Sequence, residues 1–195
     1  MPDNRSGKQA GKIGPGRMVL VVGPSGAGKD TLILALRERL KDRRDVHFAR
    51  RAITREADPN AEDHDTLSRD EFDRLTVSGE AALSWEAHGL GYVIPKSCDD
   101  IIRSGGTVIA NGSRSILARA AEKYENALVL LITAPVEVLA ERLAARGRES
   151  REEILERLNR ADLEPENIGN LIRIENTGTI EAAVDEMMKA LGLDF

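Results

Sequence analysis

An α/β fold organised around a parallel sheet follows from three features of the sequence. Short apolar runs alternate along the chain with longer amphipathic stretches, the pattern of strand–helix–strand units whose strands must lie parallel. The first run, residues 18–22 (MVLVV), is apolar at every position, as a strand buried on both faces requires. Directly after it, GPSGAGK from Gly23 to Lys29 matches the P-loop spacing G-x-x-x-x-G-K, and Leu32, Ile33, Leu36 and Leu40 then recur at helical spacing. Strand, glycine-rich turn and helix in that order form a phosphate site. Gly23, Pro24, Ser25, Gly26, Ala27 and Gly28 let backbone N–H groups converge on phosphate oxygens, Lys29 reaches the terminal phosphates, and the helix dipole favours the anion.

The next two positions depart from the usual pattern. Where Ser or Thr normally places a hydroxyl on magnesium, this chain has Asp30, then Thr31. A carboxylate facing a triphosphate is repelled unless a divalent cation lies between them, so Asp30 and Thr31 are expected on the metal side. The alternative is that Asp30 only complements the dipole of the helix it starts.

A length of 195 residues suits one domain with a substantial core, and a net charge of −5 argues against a nucleic-acid-binding surface. No apolar run reaches the length of a membrane span, and no signal-peptide pattern opens the chain. The single cysteine, Cys98, cannot form an internal disulfide, which fits a reducing cytoplasm, and it reads as a small buried side chain.

In chain order, residues 1–17 are polar and rich in Gly, Lys and Arg and are expected to be a disordered basic tail, with the domain running from 18 to 195. A strand over 46–49 leads into Arg50, Arg51 and Arg55, a cationic group whose guanidinium forks suit phosphate. Residues 56–67 read as a polar loop in which Glu62 and His64 are placed to meet a polyhydroxylated substrate. Ser68 and Glu71 have capping-box spacing before a short amphipathic helix, and 81–85 reads as a strand. Residues 86–95, with His88 and Tyr92 among glycines, read as a loop close to a ligand. Helix over 96–103 and strand over 107–110 bring Asn111 and Arg114 to the carboxyl edge of the sheet, where open parallel sheets bind ligands. Helix over 116–124 and strand over 127–133 follow, with Pro135 expected at the first position of the next helix and Arg142 on its outer side. A helix, the arginine-rich turn RGRESR from Arg146 to Arg151, and a second helix carrying Arg157 form a candidate lid over 144–153. A strand over 171–175, a turn over 176–179 and an amphipathic helix over 180–191 close the chain.

GPSGAGKDT, the strand ending ITR, the EDH loop, WEAHGLGY, the strand-end NGSR, and RLAARGRE followed by RL occur in this order across residues 18–180. Together they resemble the ribose 1,5-bisphosphate phosphokinase family of phosphonate degradation, within the guanylate-kinase-like P-loop kinases. The resemblance implies a three-layer fold with a five-stranded parallel sheet, a small acceptor-binding subdomain over about 50–98 and a helical lid. It implies transfer of the γ-phosphoryl of ATP, with Mg²⁺, to a small phosphorylated sugar, with neither nucleic acid nor membrane as partner, in a monomer or homodimer. On that resemblance Arg51, Arg55, Glu62, His64, Tyr92, Asn111 and Arg114 line the acceptor site, Lys29, Asp30, Arg146, Arg148 and Arg157 serve catalysis, and Asn176 borders the adenine. Guanylate kinase is the alternative, since Thr54-Arg55 and Tyr92 match it too, but its strand-end Asp is Asn111 here. A third reading is an inactive interaction module of the same fold, against which the presence of Lys29, Arg146 and Arg157 counts.

Overall fold

The computed structural model describes residues 11–55, 64–145 and 169–193, with Ile154 and Leu158. Its main sheet contains β1 (Ile13–Val22), β2 (Val46–Phe48), β7 (Thr107–Asn111), β8 (Tyr124–Thr133) and β9 (Leu171–Glu175). They stand in the order β2-β7-β1-β8-β9, each neighbouring pair parallel. A second sheet, ordered β4-β3-β6-β5, is made of β3 (Ala52–Ile53), β4 (Asp65–Thr66), β5 (Ala81–Ala87) and β6 (Leu90–Pro95). The helices are α1 (Lys29–Arg39), α2 (Arg69–Ser78), α3 (Ser97–Arg103), α4 (Leu117–Lys123), α5 (Val136–Ala144) and α6 (Ile180–Leu191), and a 3₁₀ turn covers Arg114–Ile116.

The parallel sheet separates two apolar layers, and β1 supplies both. Successive side chains of a strand point to opposite faces. Met18, Leu20 and Val22 therefore join the cluster under α3 and α4, with Val108, Ala110, Val129, Leu131, Ile102 and Leu117. Val19 and Val21 join the other, with Leu32 and Leu36 of α1, Leu139 of α5 and Met187 of α6. All five of these β1 side chains are at most 1% exposed. At about 1.5–3 kcal/mol for each buried side chain, this strand alone contributes on the order of 10 kcal/mol before chain entropy is counted.

Four expectations are corrected. First, the ordered domain begins before Met18: Ile13 pairs with Tyr124, and Arg17 with Thr107 and Asn126, so residues 13–17 extend β1, while residues 1–10 lie outside the described residues. Hydropathy conceals this extension because Gly14, Pro15 and Gly16 offer backbone rather than apolar side chains. A Cβ on Gly16 would stand 2.2 Å from the Gly106 carbonyl, so the approach itself needs glycine. Second, residues 86–95 are largely strand. Leu90–Pro95 pairs antiparallel with β5 across a two-residue turn in which His88 and Gly89 both have positive φ, as a type I′ hairpin requires. Third, Pro135 caps α5 from an extended conformation, and the helix starts one residue later. Fourth, Tyr124 opens β8 instead of ending α4.

The loop expected over 56–67 ends in the strand β4 at Asp65–Thr66, paired to β3, whereas the capping box before α2 is present. Ser68 Oγ accepts from the Glu71 N–H while the Glu71 carboxylate accepts from the Ser68 N–H, the reciprocal pair that starts α2. Residues 146–153, the turn of the candidate lid, lie outside the described residues. Beyond them the described residues Ile154 and Leu158 are helical and buried with Leu139 and Leu143.

Cys98 is buried on α3, and burial together with the neighbouring Asp99 carboxylate pushes its thiol up to about 11. A chromogenic disulfide reagent at pH 8 is expected to leave Cys98 unmodified in the native protein and to react with one thiol per chain in denaturant. Rapid modification without denaturant would contradict the packing of α3.

Candidate functional site

The loop after β1 is held from behind by side chains far away in sequence. Gly23 has φ 149°, and a Cβ on it would meet the Ile132 carbonyl of β8 at 2.1 Å. Gly28 has φ 87°, and a Cβ there would lie 2.5 Å from Nδ2 of Asn176. That amide donates to the Ala27 carbonyl at 2.8 Å, while the Asn176 backbone N–H donates to the Thr133 carbonyl at 2.8 Å. Arg142 completes the brace, donating from Nη2 to the Asn176 carbonyl at 2.9 Å and from Nη1 to the Gly26 carbonyl at 3.5 Å. Arg142 thus turns inward to the loop and not outward as expected, because the Asn176 and Gly26 carbonyls accept from its guanidinium. Lys29 folds back into the curl, donating to the Gly23 carbonyl at 2.8 Å and the Pro24 carbonyl at 3.1 Å.

Across from the loop stands the end of β7. Val21 and Asn111 are partners in the parallel register, so the sheet itself sets Asn111 beside the first turn of α1. Asn111, 8% exposed, donates from Nδ2 to Oδ1 of Asp30 at 2.6 Å. The bond is charge-assisted, fixes the carboxylate's direction and leaves oxygen lone pairs for another ligand. Among the described residues no group of three or more His, Cys, Asp or Glu side chains could hold a metal ion. Asp30 and the exposed Thr31 hydroxyl are hard oxygen donors, the kind that takes a Mg²⁺ arriving with phosphates.

The second sheet presents a different chemistry. Trp85 of β5 and Tyr92 of β6 stack with ring centroids 5.1 Å apart and planes 4° from parallel. The Arg51 guanidinium lies over both, 5.7 Å from the Trp85 centroid and 5.4 Å from that of Tyr92, and the residue is 7% exposed. A guanidinium on aromatic faces is held in orientation by the ring quadrupoles. Thr54 is committed to structure: its Oγ1 accepts from the Gly91 N–H at 2.8 Å and its own N–H donates to the Gly91 carbonyl at 3.0 Å. This pins β3 to the hairpin and leaves Arg55, the next residue, exposed. His64 is buried; Arg50 donates to its carbonyl at 3.4 Å and pairs with Asp65 at 3.1 Å. Arg114 is exposed at the start of the 3₁₀ turn, which Ser113 caps by accepting from the Ser115 N–H.

The structure therefore gathers residues 23–31, Asn111 and Asn176 around one loop, and Arg51 and Tyr92 on one aromatic platform. Glu62, Arg146, Arg148 and Arg157 lie outside the described residues. Asn176 reaches the loop as a brace, through a contact with Ala27 that sequence spacing does not reveal. Trp85 and Arg142 were not among the expected site residues. The one available signal for Trp85 was its place as the sole tryptophan in the chain, between apolar positions and the polar hairpin.

A family model described as an AAA domain matches residues 19–167. A ribose 1,5-bisphosphate phosphokinase PhnN of Rhodopseudomonas palustris is 51% identical over 165 residues, covering 82% of this chain and 84% of the relative. The protein of the same name from Brucella melitensis is 47% identical over 176 residues, covering 90% and 92%. Among solved structures, a guanylate kinase from Anaplasma phagocytophilum superposes with a TM-score of 0.62 over 93% of this chain and 86% of that one. Its sequence identity of 20% speaks for the fold alone.

Replacing Asn176 with Ala removes the donor to the Ala27 carbonyl and leaves that acceptor unsatisfied at a buried position. The expected result is a loss of about 1–3 kcal/mol in unfolding free energy, together with weaker binding of a nucleoside triphosphate by titration calorimetry. Wild-type stability and affinity in Asn176→Ala would show that the brace is dispensable.

Proposed function

This chain belongs to the ribose 1,5-bisphosphate phosphokinase family, and on that premise we propose that it transfers the γ-phosphoryl group of ATP to the 1-phosphate of ribose 1,5-bisphosphate, releasing ADP and 5-phospho-α-D-ribose 1-diphosphate. A 1-phosphate oxygen of the sugar forms the new bond to the γ-phosphorus, and the bond between that phosphorus and the β,γ-bridging oxygen breaks, leaving the electron pair on ADP. The attacking oxygen is already anionic, so no side chain has to remove a proton. Catalysis is then placement and charge neutralisation.

The observation that carries this reading is the P-loop with Lys29 folded inside it and the Asp30–Asn111 pair at its mouth. Backbone N–H groups of residues 23–31, Pro24 excepted, hold the donor phosphates, and Lys29 leaves the Gly23 and Pro24 carbonyls to meet the β- and γ-phosphates. Asp30, aimed by Asn111, and Thr31 would hold Mg²⁺, which would supply charge neutralisation at the donor phosphates. Arg51 on its aromatic platform, with Arg55, Glu62, His64, Tyr92 and Arg114, holds the bisphosphorylated sugar. Arg146, Arg148 and Arg157 close over the transferring group from the lid, and Asn176 borders the nucleotide. No helix among the described residues is long and apolar enough to cross a membrane. One buried thiol fits a reducing cytoplasm, and the acidic balance fits a small-molecule substrate over nucleic acid. We assign the active chain as a monomer or homodimer working in phosphonate catabolism.

A coupled assay of ADP release separates the readings: turnover is expected with ribose 1,5-bisphosphate and not with GMP. Release with GMP alone would make the chain a guanylate kinase, and release with neither acceptor would leave an interaction module. Lys29→Ala is expected to keep the circular dichroism spectrum and to lose roughly 10²–10³-fold in kcat. Asn111→Asp sets a second carboxylate beside Asp30, so its melting temperature is expected to fall in chelator and to recover with Mg²⁺. An equal melting temperature with and without Mg²⁺ would remove Asp30 from the metal site.

A further inference from the structure

Strand β5 is the outer strand of the second sheet: β6 pairs with one side of it, and no described strand pairs with the other. An open edge leaves a row of carbonyls to satisfy. Two cations of α4 reach carbonyls of this strand, and Lys96, beside α3, reaches one just before it. Lys96 Nζ donates to the Gly79 carbonyl at 2.9 Å, just before the strand, Lys123 Nζ to the Ala82 carbonyl at 2.6 Å, and Arg119 Nη2 to the Ser84 carbonyl. Lys123 and Arg119 both stand on α4, so one helix holds both of these carbonyls.

The three cations are not equivalent. Lys123 and Lys96 also approach Oδ2 of Asp99, at 2.9 and 3.7 Å, and the Tyr124 hydroxyl donates to Oδ1 of the same carboxylate at 2.7 Å. Asp99 is 0% exposed, so removing Lys123 would strand a buried charge and unsettle the fold at large. Arg119 is exposed, and its donor goes to the carbonyl immediately before Trp85. Trp85 stacks on Tyr92 under Arg51, and it packs in the same cluster as Ile116 and Leu117. Those two residues belong to the 3₁₀ turn and helix that begin with Arg114, five positions before Arg119.

We propose that Arg119 is a positioning residue for the acceptor: by holding the Ser84 carbonyl it sets the Trp85–Tyr92–Arg51 platform at a defined place relative to Arg114. The proposal rests on the acceptor-site reading above. One end of the Arg114-to-Lys123 segment then reaches toward the substrate and the other end holds the strand that carries the platform. The two acceptor-facing cations, Arg51 and Arg114, are in this way placed by one continuous segment, although Arg51 precedes β3 of the second sheet and Arg114 follows β7 of the main sheet.

Trp85 is the only tryptophan, so its emission reports on the platform directly. Arg119→Met keeps the apolar stem and removes the donors, and Arg119→Lys keeps a cation and donors. Arg119→Met is expected to keep the native circular dichroism spectrum, to increase acrylamide quenching of Trp85, and to raise KM for ribose 1,5-bisphosphate about tenfold. KM for ATP and kcat are expected to stay within about twofold, and Arg119→Lys to recover most of the loss in KM and in quenching. Unchanged quenching with unchanged KM, or an equal rise in both KM values, would overturn the proposal. If Arg119→Met does not fold, Arg119→Lys decides: wild-type quenching and KM support the clamp, and a raised acceptor KM with wild-type quenching overturns it. A wild-type chain inactive on ribose 1,5-bisphosphate would overturn the functional reading alone, because quenching measured without substrate still tests whether Arg119 holds the platform.

Discussion

Burial of β1 on both faces is the constraint from which the rest of the molecule follows. A strand whose alternate side chains enter two separate apolar layers cannot slip by one residue without exchanging those layers, so its register against β7 and β8 is firmly set. The end of β1 therefore arrives at a fixed place on the sheet's carboxyl edge. There Gly23 is pressed against β8 too closely for any side chain, and the loop begins. Register against β7 also sets Asn111 opposite Val21, which brings its amide to Asp30. The place of the loop and of the Asp30–Asn111 pair is thus a product of strand packing more than of the loop's own preferences.

The loop's stiffness comes from elsewhere again. Glycines at Gly23, Gly26 and Gly28 permit the curl, and permission alone would leave many conformations accessible. Asn176 and Arg142, from the end of β9 and from α5, accept or donate at Ala27, Gly26 and each other, and so select one. Preorganised backbone donors are what phosphoryl transfer needs, because little covalent chemistry is left for the protein to perform. The second sheet is ordered by other means. A guanidinium on two stacked rings and a strand edge capped by cations give a rigid platform in a small sheet with little core of its own.

How much of this was legible before the structure differs from element to element. The apolar runs, the P-loop spacing and the capping box at Ser68 and Glu71 rest on local physics, and each stands where the pattern put it. The start of β1 at Ile13 was not legible, since Gly14, Pro15 and Gly16 take part through backbone contacts that carry no hydropathy signal. The hairpin over residues 81–95 was half legible: β5 reads as a strand, but the glycines of β6 imitate a loop, and only the pairing of Ser84 with Val93 and Trp85 with Tyr92 reveals the second strand. Gly91 sits there because Phe72 of α2 packs where a side chain would go, a contact invisible to any local window.

The sequence by itself determined the fold class, the phosphate-binding loop with Lys29, and the unusual carboxylate at Asp30, because strand burial, glycine geometry and charge each act over a few neighbouring residues. Only the tertiary structure decided what those residues work with. Asn111 lies 81 positions from Asp30, Asn176 lies 149 from Ala27, and Arg119 lies 35 from Ser84. Such pairs are created by sheet order and helix packing, and no spacing along the chain encodes them. The same distinction explains Arg142, which surface periodicity turns outward and the packed loop turns inward.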